Sequence, residues 1–258
     1  MANPMATSSA NTTKFLFGLC LLVIGFTSNA QAIFLHTGRI TYEKRTNQHA
    51  RFLDENDTNI WAEEQRKATS KILIENPVLT FNETYGLYTI GAENANNKYL
   101  WNSKTPETDN TIINWQNKTI SKQKEVFEKT YLIQDSIHNM QWRITGETRT
   151  IAGFNCRKAV GKIMDSVYVV AFYTDDITAQ VGPESFSGLP GAILGLAIPR
   201  LHTTWFATKV EAINPPETTF SAKQKGIKCT RKTCLTELQK SIKDWGKFGI
   251  QTIWNSQL

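Results

Sequence analysis

The segment Val181-Gly-Pro-Glu-Ser-Phe-Ser-Gly-Leu-Pro-Gly-Ala-Ile-Leu-Gly-Leu-Ala-Ile-Pro-Arg200 constrains this chain more than any other stretch. Glycines and prolines crowd its first half, and an apolar run follows. In Leu189-Pro-Gly-Ala192, Pro190 fixes φ near about −65°, and Gly191 supplies the positive φ that the second central position of a type II turn demands. From Ala192 to Ile198 only Gly195 interrupts the apolar side chains, which predicts a short strand covered on both faces. So short a run cannot span a bilayer, which takes about 20 apolar residues. Two readings of the segment stay open. It is a rigid turn feeding a core strand, or its glycines let a ligand or partner approach the backbone closely. On the second reading the binding surface comprises Tyr173, Gly182, Pro183, Gly188, Leu189, Pro190 and Gly191.

The chain starts with a different signal. Lys14 precedes a run from Phe15 to Phe26 that is apolar apart from its glycines, and Ala30-Gln-Ala32 follows. A basic residue, a short hydrophobic core and an Ala-x-Ala site predict a cleaved signal peptide over 1–32. The expected product is an exported protein, periplasmic or associated with the outer membrane, without a transmembrane anchor. Cys20 is not expected to carry lipid, because Leu19 precedes it and apolar residues continue past it. Residues 33–258 are expected to form one domain.

The formal net charge of +6 comes from scattered basic residues, dense only between Lys223 and Lys232. Such scatter predicts a solvated surface. Nothing resembles a stacking platform or recognition helix, so nucleic-acid binding is not expected. Beyond the leader stand Cys156, Cys229 and Cys234. Residues five apart on one helix cannot bridge, so a Cys229–Cys234 disulfide needs a turn across Thr230-Arg-Lys-Thr233. That bridge is expected, with Cys156 reduced and buried. No Cys-x-x-Cys occurs, and His36, His49, His138 and His202 are isolated, so neither a metal site nor a cofactor is expected.

Alternation predicts a first strand over Ile33–Arg45, with Gly38, Ile40 and Tyr42 on one face. Thr46–Asn59 reads as a loop and Trp61–Ile72 as a helix, capped by Asp57, Thr58 or Asn59. Pro77 marks a boundary. Strands are expected at Val78–Phe81 and Gly86–Ile90, followed by a long polar loop to Asn110 that is anchored by Tyr99-Leu-Trp101. Further strands follow at Thr111–Trp115, Lys118–Gln123, Val126–Gln134, Met140–Thr145 and Thr148–Ile151. Phe154–Ile163 and Val167–Tyr173 form a hairpin about Met164-Asp-Ser166, and Thr203–Ile213 is stopped by Pro215-Pro216. Near the end, Leu235, Leu238, Ile242 and Trp245 make a helical stripe that predicts a C-terminal helix over 235–254 laid on the sheet.

Trp142-Arg-Ile-Thr-Gly-Glu-Thr-Arg-Thr-Ile151, Gly153-Phe-Asn-Cys-Arg-Lys-Ala159, Ala171-Phe-Tyr-Thr-Asp-Asp-Ile177, Gly182-Pro183 and Gly188-Leu-Pro-Gly191 recur in this order in the GLPGLI family. The chain resembles that family from about Ile33 to Glu211. It departs from the pattern at Ala192, Gly195 and Phe172. The resemblance implies an exported envelope protein of Gram-negative bacteria and assigns no reaction. Its strand order is similar to the half-barrel of periplasmic lipoprotein carriers, an antiparallel sheet wrapped around helices.

The expected class is therefore mainly β (α+β): a single curved antiparallel sheet with a helix near 60–72 and the C-terminal helix. The expected role is binding of an apolar ligand, or an accessory role beside an outer-membrane partner. The alternative is a hydrolase whose carboxylates are Asp175, Asp176 and Glu184. Ser185 and Ser187 lack the Gly-x-Ser-x-Gly elbow, and no histidine or asparagine orienter lies beside Cys156 in sequence.

Overall fold

The computed structural model describes residues 35–53, 59–100, 103–138, 140–164 and 166–258, without the side chain of Lys247. The expected signal peptide, Asp57, Thr58 and Trp101 lie outside the described residues. Ile33–Leu258 forms one compact unit. Its strands are β1 (Gly38–Asn47), β2 (Ile72–Glu75), β3 (Val78–Phe81), β4 (Tyr85–Thr89), β5 (Asn110–Asn114), β6 (Thr119–Val126) and β7 (Lys129–Ser136). Then come β8 (Arg143–Ile151), β9 (Phe154–Ile163), β10 (Val167–Thr174), β11 (Ala192–Ile198), β12 (Thr203–Glu211) and β13 (Ile227–Cys229). They join in the order β13-β7-β6-β5-β4-β3-β1-β12-β11-β10-β9-β8, and β2 also pairs with β1. The sheet is large, curved and not closed. One pairing departs from the antiparallel expectation: β13 runs parallel to β7.

Strand β1 is the spine. Its Gly38–Thr41 half pairs with β3 and its Lys44–Asn47 half with β2, on one edge, while β12 occupies the other. Pro77 separates β2 from β3, because proline has no N–H for a ladder and the chain must step between the two registers. Alternation holds along β1: Gly38, Ile40, Tyr42, Lys44 and Thr46 face inward. Inward Ile40, Tyr42, Leu79, Phe81, Tyr88, Ile193 and Trp205 make one core, and each such side chain contributes about 1.5–3 kcal/mol by burial. The buried Trp205 N–H donates to Tyr88 Oη at 3.1 Å, and Tyr42 Oη donates to the Ile193 carbonyl at 2.8 Å. That carbonyl lies where the β10–β11 register slips between Phe172 and Tyr173.

The helices differ from expectation in instructive ways. The Thr46–Asn59 loop contains α1 (Gln48–Phe52), capped by the Asn47 side chain accepting from Ala50 N–H at 3.0 Å. Gln48 is fully buried. Its amide group donates to the Ser70 carbonyl and to the Lys98 carbonyl at 2.8 Å, and its oxygen accepts from Leu100 N–H and Ser103 Oγ, both at 2.9 Å. One glutamine at the start of α1 thus pins the long polar loop. The expected Trp61–Ile72 helix is shorter, α2 (Ile60–Ala68), with Asn59 as its N-cap. It stops because Thr69 adopts an extended backbone and Ile72 is drawn into β2 against Asn47.

The single C-terminal helix expected over 235–254 is two: α3 (Arg231–Ile242) and α4 (Gly246–Ser256). Gly246 sits at φ +53° and breaks the run. The buried stripe is Cys234, Leu238 and Ile242, whereas Trp245 lies at the break against Phe127, with ring centroids 4.8 Å apart. Met140 and Trp142 lie outside β8, which absorbs both expected strands and carries an irregularity between Ile144 and Thr148.

The expected Cys229–Cys234 disulfide is not formed: both are free thiols. The turn it required does exist, since Cys229 ends β13 and Thr230 caps α3 with a reciprocal Thr230–Thr233 bond. That brings the two thiols near each other without a bond between sulfurs. Burial pushes the Cys234 thiol up to about 12 and the Cys156 thiol up to about 11, so both stay protonated. No helix among the described residues is long and apolar enough to cross a membrane.

Candidate functional site

The glycine-proline segment forms the connection between β10 and β11, and it folds back onto the protein. Gly191 N–H donates to the Leu189 carbonyl at 2.7 Å, and Ala192 N–H donates to Ile177 at 3.0 Å. The turn is therefore a γ-turn centred on Pro190, not the expected type II turn. Gly191 lies at φ +148°, and a Cβ there would stand 2.0 Å from the Thr174 carbonyl oxygen. The glycine is required by backbone contact, not by an approaching ligand. Tyr173, Gly182, Pro183 and Leu189 are buried as well. Among the expected binding residues only Pro190 and Gly188 are exposed, and Gly188 alone borders a cleft.

The three acids of the hydrolase alternative are engaged separately. Asp175 is exposed and pairs with Arg157 at 3.2 Å, while Asp176 accepts from Thr174 Oγ1 at 3.2 Å. Glu184 instead turns into the protein. A turn closed by Phe186 N–H on the Pro183 carbonyl holds Glu184 at φ +57°, with 2 % of its surface exposed. Its carboxylate meets Lys124 Nζ at 3.3 Å and Tyr88 Oη at 3.4 Å. Lys122, also buried, donates to Ser185 Oγ at 2.7 Å and to the Leu258 carbonyl.

These charges set each other. Burial alone would raise the Glu184 pKa, but Lys124, Lys44 and Lys122 together hold it below its ordinary value. Asp109, which accepts the Glu125 N–H at 2.8 Å, goes the other way: burial outweighs Lys124 and pushes it up to about 6. Raising an acid's folded pKa means that the native state binds the extra proton, so this stability is present below the unfolded pKa and lost as pH rises through about 6. Asp109→Asn keeps the accepting oxygen and removes the charge. It should raise the unfolding free energy above pH 6 by up to about 3 kcal/mol, and the gain should vanish below about pH 4. Urea titrations at both pH values check this.

The cleft beside Gly188 encloses about 660 Å³. Its walls come from five separate stretches: His36 before β1, Asn82 and Glu83 in the β3–β4 turn, Trp115 and Lys118 between β5 and β6, Ser136 and Ile137 at the end of β7, and Thr178–Gln180 with Ser187 and Gly188. The half-buried Trp115 indole packs over Gly86, where a Cβ would come within 3.0 Å of the ring. Its N–H is buried without a partner, so the ring rather than the N–H is what the cleft receives. Asn82 Oδ1 is occupied by Thr84 N–H at 2.9 Å and Tyr85 N–H, leaving its amide NH₂ for a ligand. His36 Nδ1 is bonded to Thr178 Oγ1 at 2.8 Å, which fixes the ring. Gly188 is anchored from behind by Trp142, whose N–H donates to the Ser187 carbonyl at 2.9 Å. Sequence reasoning missed Trp115, Asn82, Glu83 and Gln180, which lie far apart along the chain. The available signal was a tryptophan at the end of a strand, just before the polar Gln116-Asn117 turn.

The protein has the fold of the structure of PNGF-II in space group C2, with a TM-score of 0.50 and 18% identity over 85% of this chain and 33% of that one. The same protein in space group P21 gives a TM-score of 0.48 with 18% identity, covering 82% and 34%. An uncharacterized conserved protein from Thermus thermophilus is more distant, with a TM-score of 0.39 and 6% identity over 75% and 90%. The chain thus spans about a third of the length of the PNGF-II structures. No curated protein matches it. The N-glycanase peptide, N-terminal domain family matches residues 62–232, two thirds of the sequence from α2 to the start of α3, and the chain belongs to that PNGase F-II N-terminal domain family.

Proposed function

We propose that this protein is an exported carbohydrate-binding domain whose cleft at Trp115 holds part of a glycan. The observation that carries the proposal is the combination of an aromatic face with planar polar groups. Trp115 offers apolar area to the C–H face of a sugar ring, while Asn82, Glu83, Gln180 and His36 offer directional hydrogen bonds to hydroxyls. Membership of a family named for an N-glycanase supports this ligand class. Export is supported by the signal-peptide pattern of residues 1–32 and by the GLPGLI resemblance. The apolar residues near Val181–Ile198, the expected place for an apolar ligand, share one core with the chain's own Tyr42, Tyr88 and Trp205.

Binding is favoured over hydrolysis by a carboxylate pair, because Glu83 is the one carboxylate among the described cleft residues. Isothermal titration with N,N′-diacetylchitobiose, the core disaccharide unit of N-glycans, tests the reading. Saturable binding is expected, and Trp115→Ala should weaken it by about tenfold or more, equal to about 1.4 kcal/mol. The fold of that variant is checked by its melting curve. Equal affinity in the folded variant would remove the cleft from consideration.

A further inference from the structure

A second, smaller cavity of about 140 Å³ opens at the other end of the strands that build the cleft. Its wall carries the cations Lys44, Arg51, Lys104 and Lys124 and the acids Glu75, Asp109, Glu125 and Glu128. Most of these charges have partners. Lys44 pairs with Glu75 at 2.9 Å, Lys124 with Glu184 at 3.3 Å, and the rim residue Lys104 with Glu93 at 2.8 Å. Arg51 has no carboxylate within ion-pair distance among the described residues, and the charge of Glu75 on the same wall acts on it only from farther away. Arg51 is 4 % exposed, reaches only the Gln251 carbonyl at 3.5 Å, and leaves its Nε–H without an acceptor. The guanidinium lies 5.0 Å from the Phe52 ring centroid, so an aromatic face rather than an acid is its neighbour. Burial lowers its pKa to about 10, which still leaves it charged at neutral pH. An unpaired buried cation is costly, and its planar fork matches the geometry of an oxyanion.

We propose that this cavity binds one oxyanion group, a phosphate, sulfate or carboxylate, through the buried Arg51 guanidinium. Lys44 and Lys124 flank it, and the hydroxyl of Thr105, which accepts from Lys44 and keeps its own proton, stands on the same wall as a further donor. The volume of about 140 Å³ corresponds to about five waters at a share of about 30 Å³ each, enough for a four-oxygen anion but not for a sugar ring with it. The group is therefore a free inorganic anion, or the charged end of a sugar whose ring stays outside near Lys104. The neighbouring Gln251 Oε1 is also unpartnered, but Gln251 is not part of the cavity wall.

The test is calorimetric titration of the full chain with inorganic phosphate in chloride buffer of matched ionic strength. Saturable binding at millimolar phosphate or below is expected, weakened about tenfold or more by Arg51→Met and less by Arg51→Lys. Absence of saturable binding means that the cavity holds water only and overturns the proposal. An affinity unchanged in Arg51→Met means an adventitious ion only, with the same consequence. Should Arg51→Met fail to fold, Lys104→Gln on the half-exposed rim is expected to weaken phosphate several-fold, and an unchanged affinity there overturns the assignment. Competition by glucose 6-phosphate but not glucose supports a sugar-borne group, and failure of both to compete supports the free ion. Trp115→Ala should leave phosphate binding intact, so failure of this site and failure of the glycan cleft are distinguishable.

Discussion

Gly191→Ala should destabilise the fold severely. The added methyl would sit 2.0 Å from the Thr174 carbonyl oxygen, 2.8 Å from its carbon and 3.0 Å from the Asp175 Cα, and all three are backbone atoms. No rotamer change relieves such a contact; either the γ-turn at Pro190 or the end of β10 must move. Moving them costs the Ala192-to-Ile177 and Ile193-to-Val181 bonds that stitch the connection to β11. A loss of about 4 kcal/mol or more is expected, against a total stability of about 5–15 kcal/mol. Gly188→Ala is the internal control. Its φ of +88° is also left-handed, but nothing closer than the Trp142 Nε1 at 3.9 Å surrounds the added methyl. Its cost should be only about 1–2 kcal/mol. Soluble yield and urea midpoints of the two variants check the contrast. Similar midpoints would show that φ alone, and not the approach of Thr174, sets the requirement for glycine.

The second large effect belongs to the buried pair. Glu184→Ala leaves Lys124 charged and enclosed without its carboxylate, which costs about 3–5 kcal/mol. Replacing both partners by methionine removes the unpaired charge and should recover most of that loss. A double variant no better than the single one would show that the Tyr88 hydrogen bond, and not the ion pair, carries the effect. The pH dependence follows from the depressed Glu184 pKa. Its stabilisation is present above the unfolded value of about 4.3 and is lost as pH falls through the lower folded value. Asp109 acts with the opposite sign: its contribution falls as pH rises from its unfolded value of about 4 to its folded value of about 6, starting where that of Glu184 becomes complete.

The sheet was legible in the sequence because its strands alternate and are bounded by turn residues. Phe154–Ile163 and Ala192–Ile198 match the observed strands end to end. Other elements were hidden for identifiable reasons. The β6–β7 turn uses Phe127 and Glu128, both at positive φ without glycine or asparagine, so nothing local announced it. Strand β2 is polar at its C-terminal end and borrows its conformation from β1. Helix α1 is short and depends on Gln48 bonds to residues 22 to 55 positions away. The glycine-proline segment packs its backbone closely at Gly191 and delivers Glu184 to Lys124, and neither contact can be read from local sequence. The cleft could not be read because its walls come from residues 36, 82–83, 115–118, 136–137 and 178–188, which only the strand order brings together.

The claim that matters most is where a glycan docks. Amide and indole chemical-shift mapping of the folded chain during titration with N,N′-diacetylchitobiose locates it directly. The account predicts that shifts concentrate on the Trp115 indole, the Asn82 side-chain amide, Gln180 and Gly188, with Arg51 and the Phe52–Phe248 region unmoved. Shifts centred on Arg51, or spread without a focus at Trp115, would contradict it.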